Sequence, residues 1–356
     1  MRILVFFGDR LDVSRGTPSR ARNMARALAL KHGVEVFVLS RDEQLDIAGI
    51  GHANLDRASL KEAVADFKPT VVYGHTHKAL PFLAPLHGCV RVVDLHGDPI
   101  AEKLEQRDRP VVRRLRSAAS LWFLERRFLG EVDGLTVVSD LLARRAQRRR
   151  LPTRVIWGGV DPDLFRATVE DGGERLVVGY AGNFRPYQGL PTLIEAARQL
   201  IASGADLRLL LVGDPGRTGI DRLAQEKLPG RVELTGAVDY EDVPSALSEA
   251  NVLVIPRPDS QTARAGFPSK LPEYMALGKA LVVTDVGEQA RAVENGESGL
   301  VVRPDDPSAL AGALDSLRQR ALRERLGRCA RVAAEGPLNW KTIADELLDF
   351  FSLLTA

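Results

Sequence analysis

Lys270 and Glu273 stand three residues apart in the stretch 265–285, AGFPSKLPEYMALGKALVVTD. Residues at that spacing share one face of a helix. An ammonium at a helix N-terminus suits a diphosphate, and a carboxylate one turn later can accept both hydroxyls of a ribose diol. The neighbouring residues set the helix in place. Gly266 and Pro268 mark a loop, Ser269 is positioned to cap by accepting a backbone N–H, and Pro272 is tolerated in the first turn. Gly278 ends the helix, and ALVVT at 280–284 is an apolar, β-branched run suited to a strand buried on both faces. This arrangement could hold a nucleoside diphosphate. The same residues also describe a capped surface helix with an incidental Lys–Glu pair, and the spacing alone does not choose.

Two further places offer chemistry. Histidines occur in Gly74-His75-Thr76-His77 and in Asp94-Leu95-His96-Gly97-Asp98, each after an expected strand. Loops at the carboxyl ends of parallel strands are where ligands sit. No third group has convincing spacing for zinc, so no metal is expected. Each histidine is then a satisfied loop residue or part of a ligand site. The loop 8–18 contains Arg15, Gly16 and Thr17. A glycine there lets the backbone approach a ligand, and a simple turn would use it equally well.

The elements that must position these groups follow an α/β rhythm. Residues 2–7 read as a strand, 19–31 as a helix and 34–39 as a strand, the opening of a doubly wound parallel sheet. Further strands are expected at 70–73, 91–94, 135–139 and 154–157, with a helical region over 100–129 broken near Pro110. Gly172 and Gly173, among acidic residues, read as a flexible connection, which places a domain boundary near 170. The second half (residues 171–338) restarts with strands at 176–181, 207–212, 232–234 and 251–256. Helices are expected at 190–201, 307–316 and 322–334. A last amphipathic helix over about 339–356 carries the stripe Trp340, Ile343, Leu347, Phe350 and Phe351. Neither G-x-G-x-x-G nor a P-loop occurs, which argues against dinucleotide or ATP use through those motifs.

The pattern P-S-K-L-x-E-Y-M-A-x-G-K resembles the nucleotide-sugar site of family 4 glycosyltransferases, and similarity extends over nearly the whole chain. The resemblance implies the GT-B fold: two doubly wound Rossmann-like domains facing a central cleft, the first (1–170) binding acceptor, the second binding donor, and the last helix crossing back to the first. It implies transfer of a sugar from a nucleoside diphosphate sugar to a glycan, lipid-linked or small-molecule acceptor, with retention and with no cofactor or metal. Carried onto this chain, Lys270, Arg185 and His96 become the catalytic candidates. The donor-binding candidates are Gly16, Asn183, Gln188, Gly236, Phe267, Pro268, Ser269, Leu271 and Glu273, with Thr17 and His75 on the acceptor side. The turn Trp157-Gly158-Gly159-Val160-Asp161 is similar to the N-G-V-D turn that precedes the linker in the family. Two departures stand out. Gln188 occupies a place where lysine is usual, and Ala265 replaces the first glutamate of the family's E-x7-E pair, the one that contacts the transferred sugar. A deoxy or modified donor sugar, a substitute residue, or lost activity would each accommodate that change. A nucleotide-sugar 2-epimerase of the same fold and a nucleotide-sugar-binding protein without turnover are the alternatives.

Composition sets the outer limits. A chain of 356 residues exceeds one typical core and suggests two domains. Its 45% hydrophobic and 27% charged residues are those of an ordinary globular protein. A net charge of +2 implies no polyanionic partner, and no nucleic-acid module is present. The charge is uneven, however: residues 103–154 hold 14 Lys and Arg against 6 Asp and Glu, with Trp122, Phe123 and Phe128 among them. A solvated helix face and a peripheral contact with an anionic membrane surface both fit that composition. Two distant cysteines and the lack of a signal-like start lead to the expectation of a cytoplasmic protein, at most associated with the inner membrane face.

Overall fold

A computed structural model describes residues 1–11, 16–45, 47, 49–106, 109–166 and 175–356. Arg15 and the expected Gly172–Gly173 connection lie outside the described residues, as does the boundary placed near 170. The chain forms two compact units. The first comprises Met1–Gly158, Ala265–Phe267 and Trp340–Ala356, and the second Gly159–Arg264 and Pro268–Asn339.

The first unit is built on seven strands: β1 (Arg2–Phe6), β2 (Glu35–Ser40), β3 (Ile50–Asn54), β4 (Val71–His75), β5 (Val90–Leu95), β6 (Gly134–Val137) and β7 (Thr153–Val155). They pair in the order β3-β2-β1-β4-β5-β6-β7, all parallel. The second unit has six strands: β8 (Leu176–Ala181), β9 (Leu207–Val212), β10 (Val232–Gly236), β11 (Val252–Ile255), β12 (Ala280–Thr284) and β13 (Leu300–Val302). Their order is β10-β9-β8-β11-β12-β13, again all parallel. In both sheets the order reverses beside the first strand, at β1/β4 and at β8/β11. Such a reversal opens a crevice at the strand carboxyl ends. The doubly wound α/β reading therefore holds for each unit.

Apolar runs form the central strands because a parallel strand covered on both faces must be apolar throughout. Every residue of β4, β8 and β12 is buried. The two strands that the sequence pattern does not disclose, β3 (IGHAN) and β13 (LVV), are sheet edges with no fully buried residue. An edge strand pairs on one side only, so it carries little apolar signal.

The helix expected over 19–31 begins earlier, at Gly16–Ala29. Gly16 and Thr17 therefore occupy its first turn rather than an open loop, and Pro18 is accommodated there because first-turn N–H groups need no intrahelical partner. The last helix, Trp340–Thr355, buries all five residues of its expected stripe. They join one cluster with Ile3, Val5, Met24 and Leu28 of the first unit, and Lys31 pairs with Asp345 at 2.6 Å. Full burial of a side chain such as Phe351 contributes roughly 1.5–3 kcal/mol, so this helix is an integral wall of the first unit.

Candidate active site

In the second unit, the chain leaving β8 makes a tight loop, Gly182 to Gly189, containing the 3-10 turn Pro186–Gln188. Helix Lys270–Ala276 meets this loop through its first residue. Lys270 is 8% exposed. Its Nζ donates to Tyr180 Oη at 2.7 Å and to Gln188 Oε1 at 3.2 Å, and stands 3.9 Å from the centre of the Tyr180 ring. Gly182, at φ +134°, leaves the room: a Cβ there would meet Lys270 Nζ at 2.7 Å. Tyr180 in turn donates to the Asn183 carbonyl at 2.6 Å. Gln188, which stands where a cation is usual, thus holds the ammonium of Lys270 from the neighbouring helix.

Glu273 lies one turn on, partly buried, and accepts from Tyr240 Oη at 3.1 Å. Burial pushes its carboxyl up to about 7, against the opposing pull of Tyr240 and Lys270. Burial also pushes the Lys270 ammonium well below its ordinary value; Arg257 adds to this by repulsion and Glu273 opposes it. Both groups are driven toward their neutral forms, so the site as it stands favours a partner that would supply negative charge to Lys270. A stability effect follows. The folded Glu273 value lies above the ordinary 4.5. The contribution of this group is therefore fully present below about 4.5 and is lost as pH rises through about 7. We expect a loss on the order of 1–2 kcal/mol, smaller than for a fully buried group because the carboxylate is partly exposed. Chemical denaturation of wild type and Glu273→Gln between pH 4 and 8 checks this: the variant should lack that slope.

Not every expectation for this stretch holds. Ser269 is exposed, has helical φ and ψ (−56°, −31°) and makes no side-chain capping bond. Pro268 supplies the first turn's carbonyl instead, accepting from Leu271 N at 3.0 Å. Leu271 is fully buried and its N–H is already engaged by Pro268, so neither its side chain nor its N–H is free for a ligand. Arg185 is exposed, its N–H donating to Asn183 Oδ1 at 3.3 Å. Gly236 has φ +76°, and its carbonyl accepts from Gly213 N at 2.9 Å. Phe267 packs in the first unit, stacked 5.6 Å from Trp157 at 10°. Ala265 is wholly buried there too, its carbonyl accepting from Ser139 Oγ at 2.8 Å.

In the first unit, β4 and β5 bring His75, Asp94 and His96 together. Asp94 is fully buried. Its Oδ2 stands 2.6 Å from His96 Nε2, 3.3 Å from His75 Nδ1 and 2.8 Å from Arg20 Nε. Its Oδ1 accepts from Thr136 Oγ1 at 2.6 Å and from Arg20 Nη2 at 3.2 Å. Burial alone would raise this carboxyl, but Arg20 and then the two histidines hold it well below the usual carboxylate range. The carboxylate fixes both tautomers: the protons belong on His75 Nδ1 and His96 Nε2. His75 Nε2 and His96 Nδ1 then remain as buried lone pairs with no hydrogen-bond partner among the described residues. Burial lowers His75 to about 4, so it is neutral at physiological pH. These three side chains also offer ligand atoms within 4.8 Å of one another, a grouping that could hold a metal. The fit is poor, because a divalent cation on Asp94 would face the Arg20 guanidinium already engaged with both carboxylate oxygens. The cluster is better described as a hydrogen-bond network that orients His96. Gly16 and Thr17 open the helix that carries Arg20.

Sequence reasoning missed Arg20, Asp94, Tyr180, Tyr240 and Arg257. A signal existed for two of them. Arg20 lies on the apolar face of its helix, beside Ala21, Met24 and Leu28, and Asp94 follows the apolar pair Val92-Val93 in the buried end of its strand.

Residues 14–164 match the family model described as Glycosyltransferase Family 4, and residues 175–320 match that described as Glycosyl transferases group 1. Among curated proteins, the chain is 27% identical over 260 residues to the alpha-D-kanosaminyltransferase of Streptomyces kanamyceticus, covering 71% of this chain and 64% of that protein. It is 30% identical over 229 residues to the phosphatidyl-myo-inositol mannosyltransferase of Mycobacterium tuberculosis, covering 61% and 59%. The matched region thus spans less than two thirds of either relative. Among solved structures, sucrose-phosphate synthase from Thermosynechococcus elongatus superposes with a TM-score of 0.82 at 22% identity, over 99% of this chain and 98% of that one. Anabaena HepE in complex with UDP-glucose gives 0.73 at 19% identity, over 99% and 100%. At these identities the structures show a shared fold, GT-B.

Proposed function

This chain belongs to glycosyltransferase family 4, and we propose that it moves a glycosyl group from a nucleoside diphosphate sugar to an acceptor, with retention at the anomeric carbon. The observation that carries this reading is the Lys270 ammonium, buried at the β8/β11 reversal and held by Tyr180 and Gln188, with Glu273 one turn away. Lys270 meets the diphosphate and Glu273 the ribose diol. Arg185, exposed on the same loop, adds charge from the solvent side. Asn183 and the backbone around Gly236 and Pro268 contact the rest of the nucleotide. As the bond from the anomeric carbon to the phosphate oxygen breaks, its electron pair stays on the diphosphate. The acceptor oxygen bonds to the carbon, and its proton passes to the departing phosphate. Cations fixed where that charge develops accelerate the step. We assign His96 to positioning the sugar, and no metal to the reaction. That HepE was solved with UDP-glucose supports a nucleotide-sugar donor, and the curated relatives named above are transferases rather than epimerases. With alanine at 265, no carboxylate from that position reads the sugar hydroxyls, which favours a deoxy or otherwise modified sugar.

Screening UDP, GDP, ADP and TDP by thermal denaturation tests the donor half of this proposal. A nucleotide present at 100 times its dissociation constant adds about 2.7 kcal/mol of stability. Following a radiolabelled donor sugar into product then tests transfer, and donor NMR without acceptor tests epimerisation.

The acceptor reading rests on helix Val111–Phe128. It exposes Val111, Val112, Leu115, Trp122 and Phe123, interleaved with Arg113, Arg114, Arg116, Arg126 and Arg127. No helix among the described residues is long and apolar enough to cross a membrane. We place this face against anionic lipid at the inner side of a membrane, where a glycan or lipid-linked acceptor would be presented. Each basic residue near such a surface is worth about 1 kcal/mol. Replacing Arg113, Arg114 and Arg116 by glutamate should therefore weaken partition onto phosphatidylglycerol vesicles at least about tenfold in a sedimentation assay. Equal partition of wild type onto anionic and neutral vesicles would contradict the placement.

A further inference from the structure

Where β8 and β11 part, a second cation stands with Lys270. The residues after β11 are Pro256-Arg257-Pro258, and Arg257 is 6% exposed, as buried as Lys270. Its guanidinium carbon is 6.0 Å from the centre of the Tyr187 ring. Tyr187 is the immediate neighbour of Gln188, which takes the Lys270 ammonium at 3.2 Å. Consecutive residues of one 3-10 turn therefore carry the two cations. The turn is pinned against the β11 loop: a Cβ on Gly189, at φ +74°, would fall 1.7 Å from the Pro256 carbonyl oxygen. Arg257 is fixed from its own side as well. Its carbonyl accepts from Thr284 Oγ1 at 2.6 Å, and Gln289 Nε2 donates to Thr284 Oγ1 at 2.8 Å. The guanidinium makes a long bond to the Ala263 carbonyl, 3.4 Å.

Two buried like charges at one strand-end crevice carry desolvation and repulsion costs at the same time. An anion meeting both removes the repulsion and replaces the lost hydration. A planar guanidinium also offers a fork that matches two phosphate oxygens, which an ammonium cannot.

We propose that Arg257 is a catalytic residue of the donor site, gripping the diphosphate with Lys270 and compensating for Gln188 in the β8 loop. The assignment rests on the nucleoside diphosphate sugar reading above. It adds a residue from a loop that the motif did not point to.

The test is calorimetric titration of UDP, GDP, ADP and TDP, and of the matching monophosphates, into wild type, Arg257→Ala and Arg257→Lys. For the nucleotide that wild type prefers, Arg257→Ala should lose about 10- to 100-fold in diphosphate affinity and less than threefold in monophosphate affinity. Arg257→Lys, which keeps the charge and the stem but not the fork, should fall between. If Arg257→Ala does not fold, the diphosphate-to-monophosphate ratio of Arg257→Lys decides, with at least a fivefold drop expected. Wild-type diphosphate affinity in the variants, or equal losses for both nucleotides, would assign Arg257 a structural role and overturn the proposal. Failure of wild type itself to bind any diphosphate would instead remove the donor reading on which it stands.

Discussion

Lys270→Ala lowers glycosyl transfer by roughly 100- to 1,000-fold, with a melting temperature no lower than that of wild type. The activity loss follows from the site's electrostatics. A charge-assisted contact is worth about 1.5–3 kcal/mol, and removing one preorganised group that stabilises developing charge costs about 10²–10³ in rate. The stability half follows from burial. Lys270 is buried with its ammonium pushed well below its ordinary value by desolvation and by Arg257, so the folded state gains little by keeping that charge. Activity and stability thus separate, which an ordinary structural lysine would not allow. Parallel measurement of kcat/KM and thermal denaturation checks both halves; a variant with wild-type turnover contradicts the first, and a large drop in melting temperature the second.

Asp94→Asn destabilises the first unit by about 3–5 kcal/mol, the range for removing one member of a buried ion pair. Arg20 would keep its bonds to the Ile156 and Trp157 carbonyls, 2.9 and 2.8 Å, but lose the carboxylate that balances its charge. An amide also cannot accept from both histidines and Arg20 at once. The pH dependence has a definite sign. The Asp94 carboxyl is held well below the ordinary 3.8, so its contribution is complete above that value and is lost as pH falls toward the folded value. The gap between wild type and Asp94→Asn, measured by urea denaturation, is therefore constant from pH 5 to 8 and narrows below about pH 4. An unchanged midpoint in the variant would show that the network carries no stability. Because His96 loses its fixed tautomer, turnover should fall more than donor affinity does.

The periodicity of apolar residues disclosed the central strands, the break at Pro110 and the docking face of the last helix, because each of these must be buried along its whole length. It did not disclose β3 or β13, where one-sided pairing leaves polar residues tolerable. At the site, Lys270 and Glu273 were legible because both lie in one short stretch whose helix start and stop are written locally. The Arg20–Asp94–His96 network joins residues 74 apart in the case of Arg20 and Asp94. Only the strand order β1-β4-β5 brings them together, and no local spacing encodes it. Arg257 was hidden for the same reason: the β8/β11 reversal sets it beside a loop some seventy residues earlier. Ala265 shows the opposite case. Its departure from the family's glutamate was visible at once, yet its setting was not. It is packed in a cluster with Leu4, Phe6 and Leu135, where an ionised carboxylate would be costly to bury. Reverting this one residue to glutamate would therefore destabilise the first unit without restoring the family's sugar contact.

One contact set in the second unit decides whether the chain binds a sugar nucleotide. A crystal structure of the chain with the nucleoside diphosphate that most raises its melting temperature examines that set directly. We predict phosphate oxygens within hydrogen-bond distance of Lys270 Nζ and both ribose hydroxyls on Glu273. A nucleotide bound in full occupancy that touches neither side chain would contradict it.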